Sequence, residues 1–241
     1  MPVDPDQITA NLAAVRRRLD QAARTAGRDP SAIRLVAVSK TFPADAVRAA
    51  AAAGQIDFGE NKVQEGLQKI ADTSGLPLRW HLIGHLQSNK ARRAAAAFHA
   101  IHSVDGLDLL QRVDATAAEA GTTPELLVQV DLAGEDTKFG APEADIPALF
   151  RADLRAARVV GLMLLPPEAD NPEDARPWFR RLRELRDRLA AEGIPADRLR
   201  ELSMGMSHDF EVAVQEGSTL VRVGTAIFGR RTPTPGPETS P

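Results

Sequence analysis

A lysine at the end of an apolar run is the first group in this sequence that could do covalent chemistry. Residues 35–39 have the β-branched character of a strand, Lys40 follows them, and a loop begins at once. Strands alternate faces, so Val36, Val38 and Lys40 share one side. Only five of the 30 basic residues are lysines, and lysine is the cation that can lose its proton and attack a carbonyl. On this stretch alone, an ordinary exposed lysine is the simpler interpretation.

Three small donors near the end of the sequence could bind an anion without a strong positive charge. Ser207 follows one strand-like segment, and Gly224 and Thr225 end the next and open a short helix. Loops at these places commonly bind phosphate in barrel proteins, and glycine lets the backbone approach closely. Two alternatives stay open, because Ser207 could equally cap a helix and Gly224 could form a plain turn. We call these three residues the small-donor cup.

Arg222 lies inside the apolar segment Leu220–Val223. Arginine is rarely buried without a partner. The partner is expected to be either a carboxylate or an acceptor atom of a ligand, and we favour the ligand.

The histidines offer two further candidates. His81 and His85 have a spacing that could suggest a metal, but they fall on a strand and a loop, and no third ligand is evident. We therefore predict structural roles and no metal site. His208 and Asp209 could serve in acid–base chemistry, although the start of a surface helix explains the pair equally well.

Alternating strand-like and helix-like segments position these groups. An amphipathic helix is predicted over about residues 6–26. The strand candidates that follow are Ile33–Ser39, Ile56–Gly59, Arg79–Gly84, Ala100–Val104, Leu126–Asp131, Val159–Leu164, Glu201–Gly205 and Thr219–Gly224. The helix candidates between them are Pro43–Ala53, Val63–Ala71, Asn89–Ala97, Leu107–Ala120, Pro142–Arg151, Glu173–Ala191 and Asp209–Gly217. Repeated βα units without a glycine-rich GxGxxG turn predict an α/β fold of the (β/α)8 TIM-barrel type.

Composition sets the remaining limits. A length of 241 residues suits one barrel domain, predicted over residues 1–231, and the proline-rich residues 232–241 are predicted to be a disordered tail. The net charge of −3 and the absence of a basic block argue against nucleic acid as a partner. Without cysteine there is no disulfide or thiolate site. We expect a cytoplasmic protein with no membrane partner, because no apolar run reaches spanning length.

Five motifs together resemble one known family. They are VSK (Val38–Lys40), FGEN followed by QE (Phe58–Asn61, Gln64 and Glu65), WHLIGHLQSNK (Trp80–Lys90), LSMGMS (Leu202–Ser207) and VRVGTAIFG (Val221–Gly229). In this order they resemble the pyridoxal phosphate homeostasis proteins of the YggS/PROSC type.

The resemblance implies a fold like the amino-terminal barrel of alanine racemase, with an extra amino-terminal helix and no carboxyl-terminal β-domain. It implies pyridoxal 5′-phosphate as the cofactor, held as a Schiff base on Lys40. By the same resemblance, the small-donor cup holds the phosphate, Arg222 faces the pyridine nitrogen, and Asn61 lines the pocket near the ring. It also implies a role in vitamin B6 homeostasis, with apo forms of pyridoxal phosphate enzymes as candidate recipients, and we expect a monomer.

Residue chemistry argues against efficient catalysis. Pyridoxal enzymes that form carbanions usually place a carboxylate against the pyridine nitrogen, whereas arginine cannot accept a hydrogen bond. The resembling racemases use a tyrosine as second acid–base group, and this sequence has no tyrosine. We therefore assign no catalytic residue. Two enzyme hypotheses stay open: an amino-acid racemase or decarboxylase of the same fold type, and a Schiff-base aldolase acting on a sugar phosphate.

Overall fold

The computed structural model describes residues 4–134 and 139–229. The predicted tail at residues 232–241 lies outside the described residues. Within them, no helix is both long and apolar enough to cross a membrane.

Nine parallel strands are present in the described part of the chain: β1 (Arg34–Val38), β2 (Asp57–Glu60), β3 (Arg79–Leu82), β4 (Ala100–Val104), β5 (Glu125–Asp131), β6 (Ala141–Pro142), β7 (Arg158–Met163), β8 (Glu201–Ser203) and β9 (Leu220–Val223). Eight of them form a closed ring in the order β1-β2-β3-β4-β5-β7-β8-β9, and β9 pairs with β1 to complete it. The short β6 pairs only with the end of β5. The predicted (β/α)8 barrel is therefore confirmed.

The α-helices of the described residues are α1 (Pro5–Thr25), α2 (Ala44–Ala52), α3 (Val63–Asp72), α4 (Ala91–Ala97), α5 (Leu107–Ala120), α6 (Ile146–Arg151), α7 (Arg176–Ala191), α8 (Phe210–Gln215) and α9 (Thr225–Phe228). Short 3₁₀ helices lie at Pro30–Ala32, Ser88–Lys90, Glu143–Asp145, Pro172–Ala175 and Ala196–Arg198. Both α6 and α7 begin a few residues later than predicted, after a 3₁₀ turn. Each has a proline in its first turn, at Pro147 and Pro177, where the missing N–H costs no hydrogen bond.

Helix α1 packs on the outside of the barrel. It contacts α2, near the start of the chain, and α9, near its end. Asp4 caps it by accepting hydrogen bonds from the N–H groups of Asp6 and Gln7. Its buried face, which includes Leu12, belongs to the main core, and Asn11 donates to the Ile227 carbonyl across 2.9 Å. The helix thus fixes α9, which follows the last strand.

Apolar side chains fill two separate layers. The larger core lies between the strands and the surrounding helices. A smaller cluster consists of Val36, Leu127, Val160, Met163 and Leu220. Because strand side chains alternate, this second cluster occupies the barrel interior, which is why the strands are buried on both faces.

Candidate cofactor site

The carboxyl ends of four consecutive strands bring most of the predicted site residues to one rim. In barrel order, β2 leads to Asn61, β1 to Lys40, β9 to Gly224 and Thr225, and β8 to Ser207. Strands β1 and β9 pair over four residues, ending at Ala37 and Val223. Lys40 and the small-donor cup therefore follow three consecutive strands, β1, β9 and β8, although they are far apart in sequence.

The small-donor cup is joined by a hydrogen bond between its two loops. The Gly224 N–H donates to the Ser207 hydroxyl across 3.1 Å. A Cβ at Gly224 would lie 3.1 Å from the Val38 carbonyl oxygen, so a side chain there would press against β1. Thr225 is exposed and is the first residue of α9, where helix N–H groups have no partner within the helix.

The alternative role of Ser207 as a helix cap is wrong. Helix α8 begins only at Phe210, and Asp209 precedes it. The Asp209 carboxylate accepts from the Met206 N–H at 2.6 Å, and burial raises its pKa. His208 instead contacts the Asp170 carbonyl at 2.8 Å. His208 and Asp209 thus have different partners and form no acid–base pair.

A buried lysine holds the loop that carries Lys40, which is itself half-buried. Lys69 donates to the Ser39 carbonyl at 2.7 Å, to Glu60 at 2.7 Å and to Glu65 at 2.9 Å. We call Glu60, Glu65 and Lys69 the lysine pedestal.

The pedestal contacts the residues on both sides of Lys40. The Ser39 hydroxyl donates to Glu60 at 2.6 Å, and the Thr41 N–H donates to Glu65 at 2.5 Å. Thr41 has a φ of 68°, a left-handed conformation that is unfavourable for threonine. Such a conformation persists only when surrounding contacts impose it. The pedestal therefore fixes the backbone on either side of Lys40.

The pKa values of the two pedestal carboxylates are shifted in opposite directions. Burial raises the pKa of Glu60, and the hydrogen bonds from Lys69 and Ser39 only partly oppose that rise. Its Oε2 accepts no hydrogen bond from the described residues. Burial also acts to raise the pKa of Glu65, but the hydrogen bonds from Lys69 and Thr41 outweigh it and leave that pKa lowered.

Arg222 lies on the inward face of β9, two residues before Gly224. It is 3% exposed and donates to the Ser203 hydroxyl at 2.5 Å and to the Leu164 carbonyl at 2.9 Å. Burial lowers its pKa to about 10, against a weaker opposing effect of Asp209. Among the described residues no carboxylate forms an ion pair with Arg222, so the carboxylate partner considered from sequence is absent there.

Asn61 follows β2 and meets the loop after β3. A Cβ at Gly84 would lie 2.2 Å from the Asn61 carbonyl oxygen, so only glycine permits this approach.

His81 and His85 have separate surroundings. His81 is buried between Asp57 and His102, whereas His85 lies beside Asp105 at 3.3 Å and stacks on Phe139. In the described segments, no group of three metal-binding side chains occurs.

The pedestal and the partners of Arg222 were not predicted from the sequence. Lys69 could have been noticed, because it lies three residues after Gly66 on the buried face of α3. Ser203 and His102 carry a weaker signal, as polar residues inside apolar strands.

Comparison with known proteins matches residues 3–232 to the family described as alanine racemase, N-terminal domain. The pyridoxal phosphate homeostasis protein of Aquifex aeolicus is 42% identical over 222 residues, which cover 91% of this chain and 96% of the relative. The protein of the same name from Pseudomonas aeruginosa is 47% identical over 227 residues, covering 93% and 96%. The structure of PipY from Synechococcus elongatus with PLP bound superposes with a TM-score of 0.80 at 41% identity, covering 92% of this chain and 100% of PipY.

Proposed function

The chain belongs to the pyridoxal phosphate homeostasis proteins, within the alanine racemase N-terminal domain family, and from that premise we propose that it binds pyridoxal 5′-phosphate reversibly on Lys40 and serves in the homeostasis of this cofactor. The motif resemblance is confirmed by the same matches. PipY, a protein of similar length and fold, is described with PLP bound.

The observation that carries the proposal is the position of Lys40 and the small-donor cup after three consecutive strands, with the two loops of the cup joined by a hydrogen bond. Pyridoxal phosphate has an aldehyde that reacts with an amine and a phosphate that accepts several hydrogen bonds. The described residues fit both requirements at one rim. In this assignment Lys40 holds the aldehyde carbon, and Ser207, Gly224 and Thr225 hold the phosphate, with Ser207 and Thr225 as donors and Gly224 allowing the backbone to approach.

Arg222 is proposed to face the pyridine nitrogen, and Asn61 to line the ring. A guanidinium only donates hydrogen bonds. It therefore favours an unprotonated ring nitrogen that can accept one. Bound pyridoxal phosphate supplies an electron sink for amino-acid chemistry, and an unprotonated ring nitrogen makes that sink weak. This supports a carrier in preference to the racemase or decarboxylase hypothesis.

We further propose that the protein is a cytoplasmic monomer and that apo-enzymes receive the cofactor from it.

A reduction experiment tests the attachment site. The purified protein is incubated with pyridoxal phosphate, reduced with borohydride and digested, and the phosphopyridoxyl mass is expected on the peptide that contains Lys40. Lys40→Ala should lose the visible absorption, while Lys62→Ala, an exposed lysine nearby, should keep it. Modification of another lysine in the unaltered protein would overturn the assignment.

A second measurement separates the carrier from the enzyme hypotheses. Incubation of the loaded protein with a panel of amino acids should give no racemisation or decarboxylation above that of free cofactor. Turnover abolished by Lys40→Ala would establish an enzyme instead. A protein that takes up no cofactor would favour the aldolase hypothesis.

A further inference from the structure

A continuous row of hydrogen bonds crosses the barrel interior and ends at Arg222. Asp57 contacts His81 at 2.9 Å, His81 contacts His102 at 2.9 Å, and His102 contacts the Ser203 hydroxyl at 2.9 Å. Ser203 in turn receives the hydrogen bond from Arg222 at 2.5 Å. All five residues are buried, and we call them the polar chain.

Hydrogen-bond direction along the polar chain is determined from its Arg222 end. Arg222 can only donate, so the Ser203 oxygen accepts from it and directs its own proton to Nδ1 of His102. His102 then carries its proton on Nε2 and donates to Nδ1 of His81. His81 is left to donate from Nε2 to Asp57. Every member is satisfied with both histidines neutral.

Burial supports the neutral form of His102. The ring is fully enclosed, and its desolvation lowers the pKa well below the ordinary range, with the positive charge of Arg222 acting in the same direction. A neutral imidazole has one donor and one acceptor nitrogen. The two contacts of His102 use both.

Asp57 fixes the far end of the polar chain. Its second carboxylate oxygen accepts from Arg79 at 2.7 Å, beside a cavity of about 410 Å³ at the amino-terminal mouth of the barrel. A carboxylate accepts hydrogen bonds and cannot reverse their direction unless it is protonated. The polar chain therefore has a donor-only group at one end and an acceptor-only group at the other.

We propose that His102 is a positioning residue for the cofactor ring, which it influences through Ser203 and Arg222. The inference rests on the proposed function, because it assigns a purpose to the orientation of Arg222. His102 and Asp57 keep the Ser203 hydroxyl turned so that its oxygen receives Arg222. This contact and the one to Leu164 fix the plane of the guanidinium, so its remaining donors meet the ring nitrogen in one orientation.

The test compares His102→Leu with His102→Gln in the full-length protein loaded with pyridoxal phosphate. Leucine removes both hydrogen bonds, whereas glutamine retains a donor and an acceptor. We expect His102→Leu to shift the absorption maximum of the bound cofactor and to weaken its retention about tenfold, equivalent to the loss of one charge-assisted hydrogen bond. Glutamine should restore most of both properties.

Two further variants keep the test decisive. Ser203→Ala breaks the same link with almost no change in volume, and it should reproduce the shift if His102→Leu does not fold. His99→Leu alters an exposed histidine at the amino-terminal mouth that lies outside the polar chain, and it should leave the spectrum unchanged. Equal spectra and retention for the unaltered protein, His102→Leu and Ser203→Ala would overturn the role of His102.

The tautomer of His102 gives a readout that does not require the cofactor. Nitrogen chemical shifts of the unloaded protein should show protonation at Nε2 and a bare Nδ1. The opposite tautomer would refute the direction of the polar chain. Failure of the unaltered protein to take up pyridoxal phosphate would overturn the proposed function and, with it, the role of His102. Uptake with unaffected variants would overturn that role alone.

Discussion

The two ends of the barrel use their side chains in different ways. At the amino-terminal end, charged residues pair with one another, as Arg34 does with Glu201 at 2.7 Å and Arg79 with Asp57 at 2.7 Å. At the carboxyl-terminal end, the rim has one amine, one amide, two hydroxyls and a glycine turn. Charges that pair with one another satisfy each other at the rim. Small hydrogen-bond donors in loops after the strands suit an organic phosphate. The comparison indicates that paired charges close the barrel at the amino-terminal rim, whereas small polar groups at the carboxyl-terminal rim suit a ligand.

The pairing at the amino-terminal end follows the order of the strands. The first residues of six barrel strands alternate in charge around the mouth, and we call them the charge ring: Arg34, Asp57, Arg79, Glu125, Arg158 and Glu201. Each side chain thus has a neighbour of opposite sign. Partly exposed ion pairs contribute little individually, typically about 0–1 kcal/mol each. The charge ring therefore favours the correct order of neighbouring strands more than it raises the free energy of unfolding.

The largest effect is expected at the lysine pedestal, a buried charge cluster at the carboxyl-terminal end. Lys69→Met would leave the Glu60 carboxylate buried without its cation, since the two are 5% and 0% exposed. Removal of one member of a buried pair typically costs about 3–5 kcal/mol. We expect that loss in the free energy of unfolding by urea, together with loss of cofactor retention, because the backbone beside Lys40 is released.

Two controls accompany this prediction. Lys62→Met, at an exposed position just before α3, should change the free energy of unfolding by less than about 0.5 kcal/mol. Lys69→Met combined with Glu60→Gln should be less destabilised than Lys69→Met alone, because no uncompensated charge remains. Equal losses would show that the pedestal acts through packing and not through charge.

The pH dependence of stability should differ in sign between Asp57 at the amino-terminal end and Glu60 at the carboxyl-terminal end. Burial acts to raise the pKa of Asp57, but hydrogen bonds from His81 and Arg79 outweigh it and leave the pKa lowered. The ionised Asp57 therefore stabilises the fold above its unfolded pKa of about 3.9, and this contribution is lost as the pH falls through the folded pKa. For Glu60 the pKa is raised. Its ionisation thus destabilises the fold as the pH rises from about 4.3 through the folded pKa.

Urea unfolding between about pH 3 and pH 6 checks these signs. The stability advantage of the unaltered protein over Asp57→Asn should shrink as the pH falls below about 4. Relative to Glu60→Gln, the unaltered protein should lose stability as the pH rises above about 4.3. Parallel curves for either comparison would contradict the corresponding pKa shift.

The smallest effect is expected at the edge of the charge ring. Arg200 pairs with Glu125, and its side chain is 41% exposed. Arg200→Ala should therefore lower the free energy of unfolding by only about 0.2–1 kcal/mol, and less at high salt. Cofactor retention should stay unchanged in the same preparation. A clear loss of retention would show that the two ends are coupled more strongly than their contacts indicate.

Local patterns in the sequence were sufficient to predict the barrel. Each apolar run with β-branched residues became a strand, and helix α5 matches its predicted bounds because Gly121 ends it in a left-handed conformation. Lys40 and the small-donor cup were recognisable because they follow strands. The order of the strands in the barrel then brings these residues to the same rim.

Contacts that depend on side-chain packing between elements could not be predicted. The hydrogen bond from Gly224 to Ser207 requires the relative position of two loops, which no spacing within either loop specifies. Lys69 meets Glu60 only once α3 packs against β2. His102 and Ser203 lie 101 positions apart and meet through the curvature of the sheet. The short strand β6 was missed because its two residues carry no periodic signal.

The bond from Asn11 to Ile227 spans 216 positions, and the β1–β9 pairing beside it is almost as long in sequence. During synthesis, Lys40 leaves the ribosome long before Ser207, Gly224 and Thr225 do. Contacts of such separation form late, because a long loop must first be closed. A nascent chain therefore carries the lysine without the groups proposed to hold the phosphate, and the proposed site is complete only after the last strand has joined the first.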